Sequence, residues 1–332
     1  MKIFTPTYYH KFQCLAGACP DSCCQEWAVD VDAKAAAFYR GLPGALGDRL
    51  RSVLEDTEDG TIMTIENRRC PMWREDGLCR IQAELGHDAL CQTCRDFPRL
   101  RHDYGDFVEL GLELSCPEAA RLIFQCDSSQ FDMQSAPDSD TGAYDREAMA
   151  TLLESRCAFL AFLDGCQLSL AQSLQVLLLY AHYVQSELDG GEKAFFEPEK
   201  YLAQAQSFPL PEANISAIAD FFGELEILTP RWKTLLQSVK VPVLDDTLRP
   251  LVRYLVQRYW LQAVSDYDLL CRVKFIITAC LLVAGLDGDN VQTAQLFSKE
   301  IENDGDNVEA ILDAAYTHPA FTDIALLSLL RN

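Results

Sequence analysis

The stretch CLAGACPDSCC at residues 14–24 places four cysteines within eleven residues. The chain has fourteen cysteines in 332 residues, and ten of them lie before residue 127. The N-terminus MKIFTPTYYHKFQC lacks the apolar segment of a signal peptide, so we expect a cytoplasmic protein whose thiols stay reduced. In that compartment a cysteine cluster indicates metal binding rather than disulfide bonds.

The cysteine pattern continues outward from this stretch. C-x8-C follows at residues 70–79, C-x2-C at residues 91–94, and a single cysteine at 116. Thiolate is a soft ligand that selects zinc, copper(I) or an iron–sulfur cluster. The set exceeds the ligands of one zinc ion or one cubane cluster, so it forms two sites or includes structural thiols. The predicted metal ligands are Cys14, Cys19, Cys23, Cys24, Cys70, Cys79, Cys91, Cys94 and Cys116.

The spacing alone leaves zinc and iron open. A zinc ion commonly stabilises a small module that has little core of its own. The adjacent pair Cys23 and Cys24 disfavours a simple zinc finger, because neighbouring side chains diverge. Cys91 and Cys94, three residues apart, would share one side of a helical turn. Two histidines close to the cysteine segments, His10 and His102, are further candidate ligands, although ordinary surface or core positions suit them better.

Charge and hydrophobicity exclude several classes of protein. The formal net charge is −22, which repels phosphate backbones and anionic lipid, so we expect no nucleic-acid partner and no polybasic membrane anchor. The same charge favours a cationic substrate such as a lysine side chain. The longest apolar run, FIITACLLVAGL at 275–286, is shorter than the ~20 residues of a membrane span. It predicts a buried helix and no transmembrane segment.

The composition predicts a mainly α protein in three parts. Residues 1–125 read as a small α+β cysteine-rich module that binds a metal or cluster. Residues 126–145, a polar stretch with Ser and Asp repeated and one Pro and one Gly, read as a linker. Residues 146–332 show apolar positions at i, i+3, i+4 and i+7 almost throughout, which predicts an all-helical domain.

Local signals place the elements of the first part. We expect helices at 32–42 and 48–56, capped by Asp32 and Asp48, and a helix at 79–86 ended by Gly86. A further helical turn is expected in HDALCQTCRDF before Pro98. Strands are expected at 61–67 and 107–115, where β-branched residues occur or polar and apolar residues alternate.

The helical part offers few chemical signals of its own. Its cysteines stand singly in apolar stretches and read as small core residues, as do its clustered aromatic residues. The repeat DGDNV at 287–291 and 304–308 lacks a chelating Glu at its twelfth position and predicts two helix caps rather than calcium loops. These cysteines are Cys157, Cys166, Cys271 and Cys280, and the aromatic residues are Tyr254, Tyr259, Trp260 and Tyr267.

Three segments carry a family resemblance: CLAGACPDSCCQEWAVDVD (14–32), CPMWREDGLCRIQAELGHDALCQTCRDFPR (70–99) and LELSCPEAARLIF (112–124). Together they resemble the flagellin lysine-N-methylase (FliB) family, as do segments at 268–285, 298–316 and 321–330. A looser similarity links the chain to zinc- or iron-chelating cysteine-cluster proteins. The ligands shared with that group would be Cys19, Cys23, Cys24, Cys70, Cys79 and Cys94, with Cys14, Cys91 and Cys116 as additions of the methylase group.

The resemblance implies an S-adenosylmethionine-dependent enzyme that methylates lysine ε-amino groups of flagellin before export. It also implies a 4Fe–4S cluster held by the cysteine motif, with zinc as the alternative. Radical enzymes of this cofactor class use C-x3-C-x2-C, whereas here Cys19 and Cys23 are followed at once by Cys24, and Glu26 takes the third position. The cluster would then either bind and position the methyl donor, or serve as a structural knot beside a direct displacement.

Two further expectations remain open at the level of sequence. Direct displacement needs a neutral lysine, and carboxylates beside the first cysteine segment, Asp21, Glu26 and Asp30, are candidate bases. A protein from a different class, a non-catalytic zinc- or iron–sulfur-binding adaptor or sensor, fits the same cysteines. The sequence is compatible with a homo-oligomer.

Overall fold

The computed structural model describes residues 1–127, 129–136 and 144–331. These residues are mainly helical, and every strand lies before residue 136, which confirms the predicted fold class. The strands are β1 Lys2–Pro6, β2 Val29–Val31, β3 Leu54–Asp56, β4 Thr61–Met63, β5 Arg99–Asp103, β6 Phe107–Leu112 and β7 Phe131–Ser135. The helices are α1 Ala33–Gly41, α2 Gly44–Val53, α3 Arg80–Leu85, α4 Gln92–Asp96, α5 Pro117–Gln125, α6 Arg146–Gly165, α7 Leu170–Leu188, α8 Pro198–Ser207, α9 Ser216–Glu224, α10 Pro230–Leu236, α11 Arg249–Tyr259, α12 Leu269–Gly285, α13 Asn290–Phe297, α14 Gly305–Thr317 and α15 Asp323–Leu329.

Two small sheets form the β part. The first has the strand order β5-β6-β1-β7, in which β1 pairs in parallel with β6 and antiparallel with β7. The second is antiparallel with the order β2-β4-β3. Strand β7 lies within the interval 126–145 predicted as a linker, and all five of its residues are exposed, although Phe131 and Met133 alternate with polar residues. Residues 128 and 137–143 of that interval lie outside the described residues, and the domain boundary stays a prediction.

The hydrophobic side chains form two cores of unequal size. The smaller core draws on residues between Val29 and Cys91 and is centred on side chains such as Tyr39 and Leu50. The larger core contains the helices after residue 145 together with β6 and α5. The chain from β5 to α5 therefore packs with the helical part, although it precedes the predicted boundary. Cys116, at the start of α5, belongs to the larger core.

Several predicted helix ends are confirmed by their hydrogen bonds. Asp32 Oδ1 accepts from the backbone N–H of Ala35 at 3.0 Å, which caps α1. Gly86 ends α3 with a φ of 87°, a conformation that glycine adopts without strain. The two DGDNV repeats provide the N-caps of α13 and α14 through Asp289 and Asp304.

Other local predictions are wrong. Asp48 does not cap a helix: α2 begins four residues earlier, after Pro43, and Asp48 pairs with Arg51 within the helix. The end of the predicted helix at 48–56 is instead strand β3, because Leu54–Asp56 pair with β4. The strands expected at 61–67 and 107–115 end earlier, at Met63 and Leu112. These residues face Val29 and Arg99, the first residues of the antiparallel partner strands, and the pairing goes no further.

Helix α12 contains the longest apolar run and is the centre of the larger core. Sixteen of its residues are buried, which confirms the prediction of a buried helix at 275–286. Within the described residues, no helix combines the length and apolar character needed to cross a membrane. Cys271 and Cys280 lie buried here, as expected. Cys157 is exposed and Cys166 is only partly buried, so the core interpretation is wrong for Cys157.

Candidate metal centre and adjoining cavity

Backbone contacts bring the first two cysteine segments together. Cys70 N–H donates to the carbonyl of Cys24 at 2.8 Å, and Glu26 N–H donates to the carbonyl of Arg68 at 2.9 Å. The turn at residues 16–18 lies against the loop 74–78, where a Cβ on Gly17 would stand 2.8 Å from the carbonyl oxygen of Asp76. Only glycine fits such an approach without moving the backbone.

Three thiols meet where these segments touch. The Cys24 side chain hydrogen-bonds with the side chains of both Cys23 and Cys70. The bond to Cys24 lowers the pKa of Cys23 to about 7 and also lowers the pKa of Cys70. The adjacent residues Cys23 and Cys24 thus point to one place, contrary to the expected divergence of neighbouring side chains. We call Cys23, Cys24 and Cys70 the inner thiols.

The pair Cys91 and Cys94 lies at the start of α4, and the two side chains hydrogen-bond to each other. This agrees with the i, i+3 spacing. The bond to Cys94 lowers the pKa of Cys91 to about 7, whereas the same bond, burial and the charges of Cys91, Cys70 and Cys23 raise the pKa of Cys94. Asp32 fixes the start of this helix by accepting from Gln92 N–H at 2.8 Å. The pair therefore lies within electrostatic reach of the inner thiols.

The remaining predicted ligands surround these groups. Burial raises the pKa of Cys79, and the charges of Cys70 and Cys23 raise it further. Burial raises the pKa of Cys116 to about 12, with smaller contributions from Cys19 and Cys23. Cys14 is exposed and accepts a backbone hydrogen bond from Ala16 at 3.4 Å. Burial raises the pKa of Cys19, and the charges of Cys14 and Cys23 raise it further. Charge interactions thus link the nine thiols one to the next, and we call the region that they occupy the cysteine neighbourhood.

The donor chemistry of this neighbourhood suits a thiophilic metal, because soft thiolates are concentrated there. All fourteen cysteines belong to the described residues, and all are free thiols. In the described part of the chain, however, no three His, Cys, Asp or Glu side chains are grouped as metal ligands. Metal binding by the nine cysteines therefore stays a prediction.

Neither candidate histidine joins the cysteines. His10 lies 3.8 Å from Asp132, and both side chains are more than half exposed. His102 lies on β5, and the charged groups that affect its pKa are Arg258, Glu109 and Arg156 rather than any cysteine. Both histidines therefore fit the expectation of ordinary surface or core residues better than that of metal ligands.

One carboxylate attaches the first cysteine segment to the helical part. Asp21 accepts from Lys299 Nζ at 2.9 Å and from Gln295 Nε2 at 3.2 Å. Lys299 is almost fully buried and lies 5.1 Å from the centre of the Trp27 ring. Glu26 forms an ion pair with Arg68 at 2.6 Å. Two of the three candidate bases are thus occupied by cations.

The third candidate base, Asp30, borders a cavity of about 660 Å³ beside α4. Three more carboxylates line this cavity, from Asp32, Asp59 and Asp96. Asp32 already accepts from the backbone of Ala35 and Gln92 and so is committed to fixing two helix starts.

Lys299 belongs to a π-helical turn, Ser298–Glu302, whose five residues are all buried. Such turns occur often at functional sites. At its end Glu302 accepts from the hydroxyl of Tyr259 at 2.9 Å and lies 3.2 Å from Arg258 Nε. Tyr254 also donates to Glu302, at 3.2 Å. The turn therefore links the cysteine segment to the buried polar side chains of α11.

A cavity of about 1020 Å³ lies between the four-stranded sheet and helices α6 and α11; we call it the sheet–helix cavity. Its walls are mostly apolar and aromatic, and Tyr254 and Arg258 form part of its α11 side. The Tyr254 hydroxyl accepts from Leu114 N–H at 3.3 Å, two residues before Cys116. One end of the cavity thus adjoins the segment that leads into the cysteine neighbourhood.

Polar side chains from both the sheet and the helices line the sheet–helix cavity, and some of them are largely buried. Arg156 on α6 donates to Glu109 on β6 at 2.8 Å, and both side chains are largely buried. Burial and the nearby Arg258 lower the pKa of His102, so its imidazole is neutral at neutral pH. Burial raises the pKa of Glu113, just beyond β6, to about 6.

No sequence signal indicated that these residues would meet. Arg156 and Glu109 lie in separate predicted parts, and nothing in their spacing links them. Among the aromatic residues assigned to the core, Tyr259 and Trp260 are buried as expected, and Tyr254 is both buried and in contact with the cavity. Tyr267 is 42% exposed and does not belong to the core.

Comparison with known proteins gives three related sequences, each 31% identical over 131 residues, or 36% of this chain. One is named flagellar biosynthetic protein FliU, from Salmonella muenchen, and the match covers 74% of it. Two are named lysine-N-methylase, from Salmonella typhimurium strain LT2 and Salmonella choleraesuis strain SC-B67, and the match covers 31% of each. No protein-family model and no solved structure matches the chain.

The fold defines a mainly α protein with a small α+β N-terminal part. The identity to FliU, over about three-quarters of that protein, then assigns the family. The chain belongs to the flagellin lysine-N-methylase (FliB) family, whose members include proteins named lysine-N-methylase. The matches span less than a third of the lysine-N-methylases, and the similarity of the C-terminal segments stays a prediction.

Proposed function

We propose that this chain is a protein-lysine N-methyltransferase that uses S-adenosylmethionine and acts on flagellin in the cytoplasm. The observation that carries the proposal is its membership of a family that includes proteins named lysine-N-methylase. The net charge of −22 supports it, because an acidic surface attracts a lysine-bearing substrate.

In the proposed reaction the methyl group moves from the sulfonium sulfur of the donor to the lysine nitrogen. The sulfur–carbon bond breaks as the nitrogen–carbon bond forms, and S-adenosylhomocysteine leaves. The nitrogen needs a free electron pair, so the lysine must lose its proton to a base or to water beforehand. Burial of the lysine would favour its neutral form.

We further propose that the cysteine module binds a 4Fe–4S cluster. Supporting this are the hydrogen-bonded inner thiols, the pair Cys91 and Cys94 beside them, and the soft character of all nine donors. The inner thiols and the Cys91–Cys94 pair are the expected ligands. A bound cluster would supply either a fixed structural knot or a Lewis-acidic iron near the donor.

Methylation is tested by incubating oxygen-free protein with S-adenosylmethionine and unmethylated flagellin, followed by intact-mass measurement. We expect flagellin to gain whole methyl increments. An unchanged flagellin mass, measured with enzyme that carries its full metal content, would refute the proposed methyltransferase activity. The hypothesis of a non-catalytic adaptor or sensor would then remain.

Metal binding is tested separately by measuring iron, sulfide and zinc in oxygen-free preparations. We expect iron and acid-labile sulfide, and loss of both in Cys24→Ser and Cys70→Ser. The matched control is Cys280→Ala, a fully buried thiol within the apolar helix α12. Stoichiometric zinc without acid-labile sulfide would contradict the proposed cluster and indicate a structural zinc site instead.

A further inference from the structure

The sheet–helix cavity is a feature that the cysteine chemistry leaves unused. We propose that it binds the adenosine part of the methyl donor, an inference that rests on the proposed function. The cavity has a volume of about 1020 Å³, near the upper end of the range for small-molecule pockets. A single lysine side chain would fill only a small part of it.

The walls suit a flat heterocycle. Phe4 on β1 and Phe107 on β6 both line the cavity, with ring centres 6.1 Å apart and ring planes nearly perpendicular. Tyr8 and Tyr254 add aromatic surface from other elements. Aromatic faces and edges stack favourably on a purine ring, and the apolar walls remove that ring from water.

A polar atom within this apolar lining also points to a ligand. The His102 Nε2 atom is buried and has no hydrogen-bond partner among the described residues. Buried polar atoms without partners are uncommon in folded proteins, and a ligand is one way to satisfy them. A neutral imidazole nitrogen donates or accepts, as the edge of a purine requires.

The charged pair in the cavity suits the rest of the molecule. Arg156 and Glu109 hold each other and present a guanidinium and a carboxylate to the same space. The carboxylate oxygens of Glu109 keep lone pairs that can accept from ribose hydroxyls, and the guanidinium can donate to the same ligand.

The position of the cavity agrees with this assignment. Tyr254, which lines it, also accepts from the backbone of Leu114, and the chain reaches Cys116 two residues later. Adenosine bound between the sheet and α11 would therefore lie close to the cysteine neighbourhood. The two features would serve one active site.

Isothermal titration of the full chain, purified without oxygen, tests the inference with S-adenosylhomocysteine and adenosine as probes. The variants are His102→Ala, which removes the unpaired nitrogen, and Leu160→Trp, which fills the cavity from α6. We expect a roughly tenfold weaker affinity for His102→Ala and no measurable binding for Leu160→Trp. The matched controls are His87→Ala and Val241→Trp, both exposed and outside the cavity, and their affinity should stay within about twofold of the parent.

The outcomes separate this inference from the proposed function. Unchanged probe affinity in both cavity variants, with wild-type protein that still methylates flagellin, overturns the inference alone. Loss of lysine-peptide binding in Leu160→Trp, with probe binding retained, makes the cavity the lysine site and also overturns it. Absence of both methylation and probe binding in the wild type removes the proposed function and the inference together. Circular dichroism verifies that Leu160→Trp is folded, and His102→Ala tests the same point with a smaller change.

Discussion

The buried ion pair between Arg258 and Glu302 gives the sharpest prediction about stability. The Glu302 side chain is 0% exposed, and its Oε1 atom lies 3.2 Å from Arg258 Nε. Tyr259 donates to the same carboxylate at 2.9 Å and Tyr254 at 3.2 Å. Glu302→Ala would leave the Arg258 guanidinium and two buried hydroxyls without this acceptor.

The expected loss of stability in Glu302→Ala depends on what happens to the Arg258 guanidinium. Removing one member of a buried ion pair costs about 3–5 kcal/mol, because the other charge stays buried and uncompensated. The exposed pair between Arg40 and Asp56, with side chains 42% and 69% exposed, provides the control. Asp56→Ala should cost far less than Glu302→Ala, since water solvates the Arg40 guanidinium when the carboxylate is removed.

Urea unfolding followed by circular dichroism measures both variants, compared at an unchanged slope. The double variant Arg258→Met/Glu302→Leu should recover much of the loss, because apolar residues of similar size often replace a buried pair without net cost. The electrostatic account of this cluster is wrong if Glu302→Ala lowers the free energy of unfolding no more than Asp56→Ala does. It is also wrong if the double variant is less stable than Glu302→Ala.

Two further predictions follow from single positions. Gly17→Ala should lower the metal content without removing a ligand, because its Cβ would stand 2.8 Å from the Asp76 carbonyl; Gly41→Ala, with open space around it, is the control. Glu113, whose pKa is raised by burial from 4.5 to about 6, is neutral more readily in the folded state. Stability should therefore fall by about 2 kcal/mol as pH rises through that interval, and urea titrations of Glu113→Gln should show no such fall.

Local signals in the sequence predicted the helices well. Asp32, Gly86 and Asp304 stand where capping chemistry requires them, and the apolar run of α12 is too long and uniform for a strand. Such features depend on residues close in the chain. The prediction for Asp48 was wrong because a carboxylate is suited to two positions in a helix. It can cap the start, or it can lie within the helix and pair with a cation one turn away, as Asp48 does with Arg51.

The sheets and the cavity depend on contacts between distant residues. Strand β1 pairs with β6, more than a hundred residues away, and β7 has only exposed side chains. The sequence of β1, KIFTP, shows no alternation of polar and apolar residues, and the short alternation of β7, FDMQS, lies within an otherwise polar interval. The nine cysteines were predicted to be metal ligands, in two sites or with some structural thiols, from their number, spacing and residue type, and that ligand set stays a prediction. The hydrogen bonds of Cys24 to both Cys23 and Cys70 required the backbone contact between the two segments.

The contact of Asp21 with Lys299 should show an asymmetry that sequence alone could not reveal. Lys299 has a side chain 3% exposed, whereas that of Asp21 is 28% exposed. Asp21→Ala leaves a buried ammonium group without its carboxylate acceptor, beside the Trp27 ring at 5.1 Å and within charge range of Cys23 and Glu300. Lys299→Met leaves a carboxylate that water reaches. We therefore expect Asp21→Ala to cost about 3–5 kcal/mol and Lys299→Met clearly less.

Urea unfolding gives the two costs, and proteolysis of the native protein shows whether residues 14–24 detach from the helical part. Cleavage there should accelerate more in Asp21→Ala than in Lys299→Met, because an uncompensated buried charge favours opening of the contact. The double variant should resemble Lys299→Met, since no charge is then left buried. Equal costs for the two single variants would mean that the ammonium is solvated, and that the π-helical turn does not hold the cysteine segment through this pair.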